Sequence, residues 1–283
     1  MLGVVSLFAS WSRGAVVGAT LAVVLIALAV IQPGGDPLQL SIDDGLTERG
    51  EPLGPSAHAP LGTDQLGRDV WSRVVAGART SITVAALATS LTLAIGLAIG
   101  LVAGYAGGWI DGVLMRGVDL VLSFPVLLLA ILLSALLHER ALAASNAPVV
   151  LTLALVGWTT TARVIRGKAM VLARSEMVVA ARSLGASPAR IVTRYVLPNV
   201  AGAVVVVALI AFAQNLVAES VLSYLGLGPP PPTPTWGRML YEGRTYYRTA
   251  PHLVLAPGLA IVCAVAAFHL LAHGARARIE GAE

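Results

Sequence analysis

The chain has 283 residues, of which 57% are hydrophobic and only 12% charged. Soluble globular domains carry about 25% charged residues, so this composition excludes a water-soluble fold with one buried core. The formal net charge of +4 then reports how basic residues are shared between the two sides of a membrane. It gives no support to nucleic-acid binding.

A bilayer core about 30 Å thick is crossed by about 20 apolar residues in a helix. Six stretches meet that requirement, at 14–31, 82–103, 113–137, 148–165, 200–218 and 253–272. The fold class is therefore an all-α membrane protein with six transmembrane helices. Arg13 ahead of the first stretch resembles the start of a signal peptide, but Gln32-Pro33-Gly34 follows instead of a small-residue cleavage site. The first stretch is read as a retained span.

The loop after it is acidic, with Asp36, Asp43, Asp44, Glu48, Glu51, Asp64 and Asp69 against Arg49 and Arg68. At its end Val70, Trp71, Val74 and Val75 form one helical stripe, which predicts a helix over 69–78 lying in the outer interface. The chain thus divides into an N-terminal region, 1–79, with one span and this loop, and a region of five spans, 80–283.

In the second span Gly96, Gly100 and Gly104 recur every four residues, a face for close approach of another helix or, alternatively, a pore lining. In the third, Arg116 and Asp119 are three residues apart and can pair on one helix face. An intramembrane carboxylate is a functional candidate by default, so Asp119 is either an anchor or a contact for a solute or gate. Pro125 predicts a kink.

Residues 163–194 hold seven of the nineteen basic residues and one acid, Glu176. That excess, with Arg276 and Arg278, places this loop and both termini in the cytoplasm. Within it, 168–184 has helical composition and Gly185 fits the left-handed position that ends a helix. Ser187 and Pro188 restart it as N-cap and first helical residue, and Pro198 disfavours helix at Leu197. A plain connection needs about 2–8 residues; this one is a structured helix–turn–helix with Val178, Val179 and Ala181 beside Arg174 and Arg182. It suits either anionic headgroups or a groove on a soluble partner.

Gln214, Asn215 and Glu219 gather at the outer end of the fifth span, where either a water-filled path or the headgroup region would accept them. Residues 229–251 follow a stiff Pro run with Trp236, Tyr241, Tyr246 and Tyr247. They form an aromatic belt or a docking and solute-access surface. Cys263, the one cysteine, reads as a small apolar residue in the sixth span. His58, His138, His252, His269 and His273 are scattered without metal-ligand spacing. Arg166-Gly167-Lys168-Ala169 lacks the glycine and hydroxyl of a phosphate loop, so no nucleotide site, cofactor or catalytic residue is expected in this chain.

The segment AARSLGASPARIVTRYVLPN, residues 180–199, resembles the cytoplasmic signature of ATP-binding-cassette importer permeases: Glu-Ala-Ala, three residues, Gly, nine residues, Ile-x-Leu-Pro. Ala180, Ala181, Gly185, Leu197 and Pro198 match, while Val179 replaces the glutamate and Tyr195 the isoleucine. LGTDQLGRDVWSRVVAGARTSI (61–82), DGVLMRGVDLVLSFPVLLLAI (111–131) and ESVLSYLGLGPPPPTPTWGRML (219–240) are similar to segments of the dipeptide, oligopeptide and nickel permeases. The resemblance points to the C-type member of the permease pair in a bacterial plasma membrane. It implies that Val179, Ala180, Ala181, Gly185, Ala186, Ser187, Pro188, Leu197 and Pro198 couple the chain to an ATPase. It also implies a second related permease, two ATPase subunits that hold ATP and magnesium, and an extracytoplasmic solute-binding protein. The implied role is alternating-access import of short peptides, or alternatively of nickel or another small solute, with Gln214, Asn215, Glu219 and Asp119 as candidates for the path. A secondary transporter would need paired intramembrane charges and inverted repeats with broken helices, and an intramembrane enzyme a convergent nucleophile or metal set.

Overall fold

The computed structural model describes residues 13–32, 34–138 and 145–280; the first twelve residues of the N-terminal region lie outside these. The main helices are α1 (Arg13–Ile31), α2 (Val70–Ala106), α3 (Gly108–Leu122), α4 (Val126–His138), α5 (Ala147–Ala173), α6 (Glu176–Ser183), α7 (Pro188–Ile191), α8 (Leu197–Tyr224), α9 (Trp236–Gly243) and α10 (His252–Glu280). By length and apolar content α1, α2, α5, α8 and α10 can each cross a membrane, and α3 with α4 makes a sixth crossing if the bent pair is one span.

The apolar sequence explains the helices, but small residues decide how they meet. In hydrocarbon there is no hydrophobic gain from burying one Leu against another, so close backbone approach carries the association. α2 and α5 show this along one stripe. A Cβ on Gly96 would lie 2.6 Å from Thr161 Cβ, one on Gly100 2.7 Å from the Ala162 carbonyl, and one on Gly104 2.6 Å from the Arg166 carbonyl. Likewise a Cβ on Gly18 of α1 would lie 2.7 Å from Leu270 Cβ of α10. That contact puts the start of α1 and the end of α10 at the same end of the bundle.

The core consists of three apolar clusters. One, toward the outer loops, joins Val70 and Ala78 to Phe212, Leu216, Trp236, Met239 and Leu253. A second packs α4 through Ala130 on Val149, Leu153 and Val156. The third, at the opposite end, joins Leu101, Ile165 and Ala169 to Val178, Ile191, Val196 and Val200.

Four local expectations change. The helix predicted over 69–78 does not lie separately in the interface; it is the first part of the 37-residue α2. Asp69 caps it by accepting hydrogen bonds from the Trp71 and Ser72 N–H groups, and Val70 and Val75 face the core. The third span is not one kinked helix, because α3 and α4 meet at 86°. Pro125 cannot donate to a helix passing through it, so the chain starts again at Val126.

The helix predicted over 168–184 is broken at Arg174–Ser175, where Ser175 is extended and its hydroxyl donates back to the Leu172 carbonyl at 2.7 Å. That local bond competes with the helix ladder. Helix also does not stop before Pro198. Residues Val192–Val196 form a π-helical turn in which the Leu197 N–H bonds to the Val192 carbonyl. The wider turn removes the clash between the proline ring and the preceding carbonyls, and Leu197 stays helical.

Candidate functional site

At the inner end, α6 and α7 project from the bundle as a knob. Its turn follows from the residues: α6 ends with the Ala186 N–H bonded to the Ala181 carbonyl and the Gly185 N–H to that of Arg182, with Gly185 at φ +80°. This is the paired-bond helix stop that a left-handed glycine permits. The Ser187 hydroxyl then accepts from the Arg190 N–H and Pro188 opens α7.

The knob has two faces. Val178 and Ala181 point inward with Ile191 and Val196, while Val179, Ala180, Gly185, Ser187 and Pro188 are exposed. Ala186 and Leu197 are half-buried and Pro198 is exposed. The apolar residues that looked like one docking surface are thus divided: Val178 and Ala181 attach the knob to the bundle, and Val179 faces away from it. Leu184 is 89% exposed at the tip and was not singled out by its sequence, since nothing local marks a leucine as facing outward. Arg182 lies over the Tyr105 ring, 5.8 Å from its centroid, and ties α6 to the end of α2.

The polar residues of α8 do not form one patch. Asn215 is buried and donates to Thr89 of α2 at 3.0 Å. Glu219 is fully buried, with the Ser223 hydroxyl donating to it at 2.6 Å and Ser81 as a further partner. Gln214 lies on another face and is exposed. The spacing of four residues joins Asn215 to Glu219 on the α2-facing side, and the single step back to Gln214 turns it by about 100°.

Asp119 pairs with a residue of another helix. Its carboxylate accepts from Arg163 of α5 at 2.5 Å, in place of the expected Arg116. A second pair, Asp111 with Arg166, links the same helices closer to the α2–α3 turn. Local spacing cannot reveal either pair, because the partners are 44 and 55 residues apart.

At the outer end a charged cluster holds the loop to the bundle. Asp64 accepts from Arg68 at 2.7 Å and from Arg73; Glu242 of α9 accepts from Arg73 at 2.8 Å, Arg68 at 3.3 Å and Arg238 at 3.2 Å. Arg73 is only 2% exposed. Its burial follows from carboxylate partners on both sides, Asp64 and Glu242. Trp236 also departs from the aromatic-belt reading. It is fully buried, and its indole N–H donates to the Val74 carbonyl at 2.9 Å. Tyr241 and Tyr247 remain exposed.

Residues 96–281 match the family described as binding-protein-dependent transport system inner membrane component. That match covers more than half of the chain, which belongs to this family of ATP-binding-cassette importer permeases, multi-pass proteins of the bacterial inner membrane. Among its relatives is the glutathione transport system permease protein GsiD of Shigella flexneri. It is 42% identical over 223 residues, covering 79% of this chain and 72% of that protein. The protein of the same name from Escherichia coli is 39% identical over the same shares. A Brucella suis permease named for peptide transport is 35% identical over 263 residues, 92% of this chain and 85% of that one.

Proposed function

We propose that the chain is the C-type permease subunit of an ATP-driven importer and forms part of the path for short peptides. The names of its relatives, for glutathione and for peptides, support that cargo. It pairs with a second, related permease, receives solute from an extracytoplasmic binding protein, and keeps both termini and the knob in the cytoplasm. It binds no cofactor; ATP and magnesium sit on two ATPase subunits. Domain 80–283 carries the transport function and 1–79 the outer loop and first span.

The observation that carries this reading is the two-faced knob. Val178 and Ala181 fix it to the cluster that includes Val196 and Val200 at the foot of α8, while Val179, Ala180 and Leu184 are presented outward. A push on the outer face is therefore delivered to α8 through packed side chains, as a switch between two arrangements requires. Val179 lacks the carboxylate of the family signature, so the contact with the ATPase rests on shape and apolar surface. Asp119 and Gln214 are exposed and suit the path; Asn215 and Glu219 act there through α2. Gly96, Gly100 and Gly104 keep α2 and α5 together as one rigid pair.

Purification of the tagged chain from its native membrane in mild detergent tests the assembly. The expected result is co-purification of a second permease, two ATPases and a binding protein, which then binds short peptides in a screen that includes nickel. A chain that emerges alone from conditions that preserve a known importer overturns the reading.

A further inference from the structure

We infer that the elbow between α3 and α4, together with the Asp119–Arg163 pair beside it, faces the aqueous path, and that this pair meets the charged ends of a zwitterionic peptide. The inference rests on the importer reading and assigns a place and a chemistry within it.

The first observation is the break itself. α3 and α4 together are apolar enough for a broken span or a re-entrant loop and are bent by 86°, and the six consecutive residues from Ser123 to Leu128 are all exposed. A break leaves backbone groups without helix partners. Inside a bilayer such backbone is tolerated only where protein covers it or where it lines water. Among the described residues none covers the side chains of 123–128.

The second observation concerns charge and is independent of the first. The side chains of Asp119 and Arg163 are 62% and 51% exposed, whereas those of Asp111 and Arg166 are 14% and 31% exposed. Both pairs join α3 to α5, one covered and one open. Arg163 is sixteen residues from the start of α5 at Ala147, about 24 Å at 1.5 Å per residue. With the hydrocarbon core, about 30 Å thick, beginning at Ala147, Arg163 lies inside it. Charged side chains at such depth face the interior of an assembly or a water-filled cavity, not acyl chains.

Chemistry then selects the occupant. A short peptide presents an ammonium and a carboxylate, and an acid and a base already in contact offer a partner to each. A solute end that displaces one member of the pair leaves the other available for the opposite end. The exchange conserves ion pairing, so a doubly charged solute passes without a stranded charge.

The test uses the assembled transporter in membrane vesicles, with the chain's single cysteine replaced (Cys263→Ala) and one new cysteine at a time. Ser123→Cys, Phe124→Cys and Arg163→Cys should react with a membrane-impermeant thiosulfonate. Their rates should change several-fold between the nucleotide-free and vanadate-trapped states. Leu259→Cys, on the exposed side of α10, should stay unreactive in both. Protection of all three elbow positions overturns the inference, because the elbow is then covered by the second permease or by lipid. A second arm measures uptake of a zwitterionic tripeptide by the charge-exchanged double variant Asp119→Arg with Arg163→Asp. An anchoring pair would be restored by the exchange; a solute contact should leave KM raised about tenfold with the assembly intact. Full recovery of KM removes the peptide-contact part. If the unsubstituted complex imports no peptide, the cargo reading fails by itself, and thiol reactivity still decides whether the elbow faces water.

Discussion

Single residues in this chain act mostly through the space they leave. Gly100 sits where a Cβ would press on the Ala162 carbonyl at 2.7 Å and Ile165 Cβ at 2.9 Å. Both belong to the helix opposite, and backbone there cannot swing aside as a flexible side chain would. Gly100→Leu should therefore force α2 and α5 apart at a cost of about 1–3 kcal/mol or more, seen as a lower unfolding temperature of the purified complex. Gly167 on the same helix pair has nothing within 4 Å of a built Cβ. Gly167→Ala should leave that temperature unchanged or raise it, by about 0.5–1 kcal/mol of helix propensity. The glycine pattern was legible because a repeat of four is a helix-face signal. The outer cluster was not: Asp64 and Arg68 are near in sequence, but Glu242 is 174 residues from Arg68. Arg73→Met removes the buried cation between Asp64 and Glu242 and leaves Arg68 to serve both, with Arg238 on Glu242. Losing these charge-assisted bonds should cost about 1–3 kcal/mol, and proteolysis of loop 36–68 should accelerate in proportion.

At the scale of elements, two short helices are set by contacts that their own sequences do not contain. α9 is held by Trp236, whose ring fills the space above Gly77 and whose indole binds the Val74 carbonyl. Trp236→Ala should cost about 3–5 kcal/mol. It should also free α9 and its Glu242, which amide hydrogen exchange would show as lost protection across 236–243. The knob was much more legible, since Gly185, Ser187 and Pro188 announce a stop and a restart with definite backbone chemistry. Its outward face was not, because burial of Val178 depends on Ile165 and Val196. Leu184→Asp changes the exposed tip without touching that packing. Helix content and assembly should survive, while the coupling between ATP hydrolysis and solute uptake should fall at least tenfold, measured in reconstituted vesicles. A variant that hydrolyses and transports normally would show that the tip carries no part of the contact.

For the whole molecule, the start of α1 and the end of α10 lie at one end, with Gly18 against Ala267 and Leu270, and the basic knob belongs to the cluster at the inner end of α2 and α5. If the bent α3–α4 pair is one span it makes a sixth crossing, and an even number puts both termini on one side. Arg278→Cys in the cysteine-replaced chain should accordingly react with an impermeant reagent only from the cytoplasmic face. Reaction from outside would mean an odd number of crossings, with the elbow re-entrant.

Composition, hydropathy and charge placement determined by themselves that the chain lives in a bilayer as an all-helical protein and which loop is basic. Those properties depend on local transfer free energies summed over about 20 residues, so no partner is needed to read them. The knob's turn was also local, because caps and left-handed glycines act over a few residues. Tertiary structure alone decided that α3 and α4 meet at 86° and that Asp119 pairs with Arg163. It also decided that Glu219 is enclosed by hydroxyls and that Arg73 is buried between two carboxylates. Each of these depends on which distant side chain arrives opposite. That is fixed by helix packing geometry, which the order of residues along one segment does not contain.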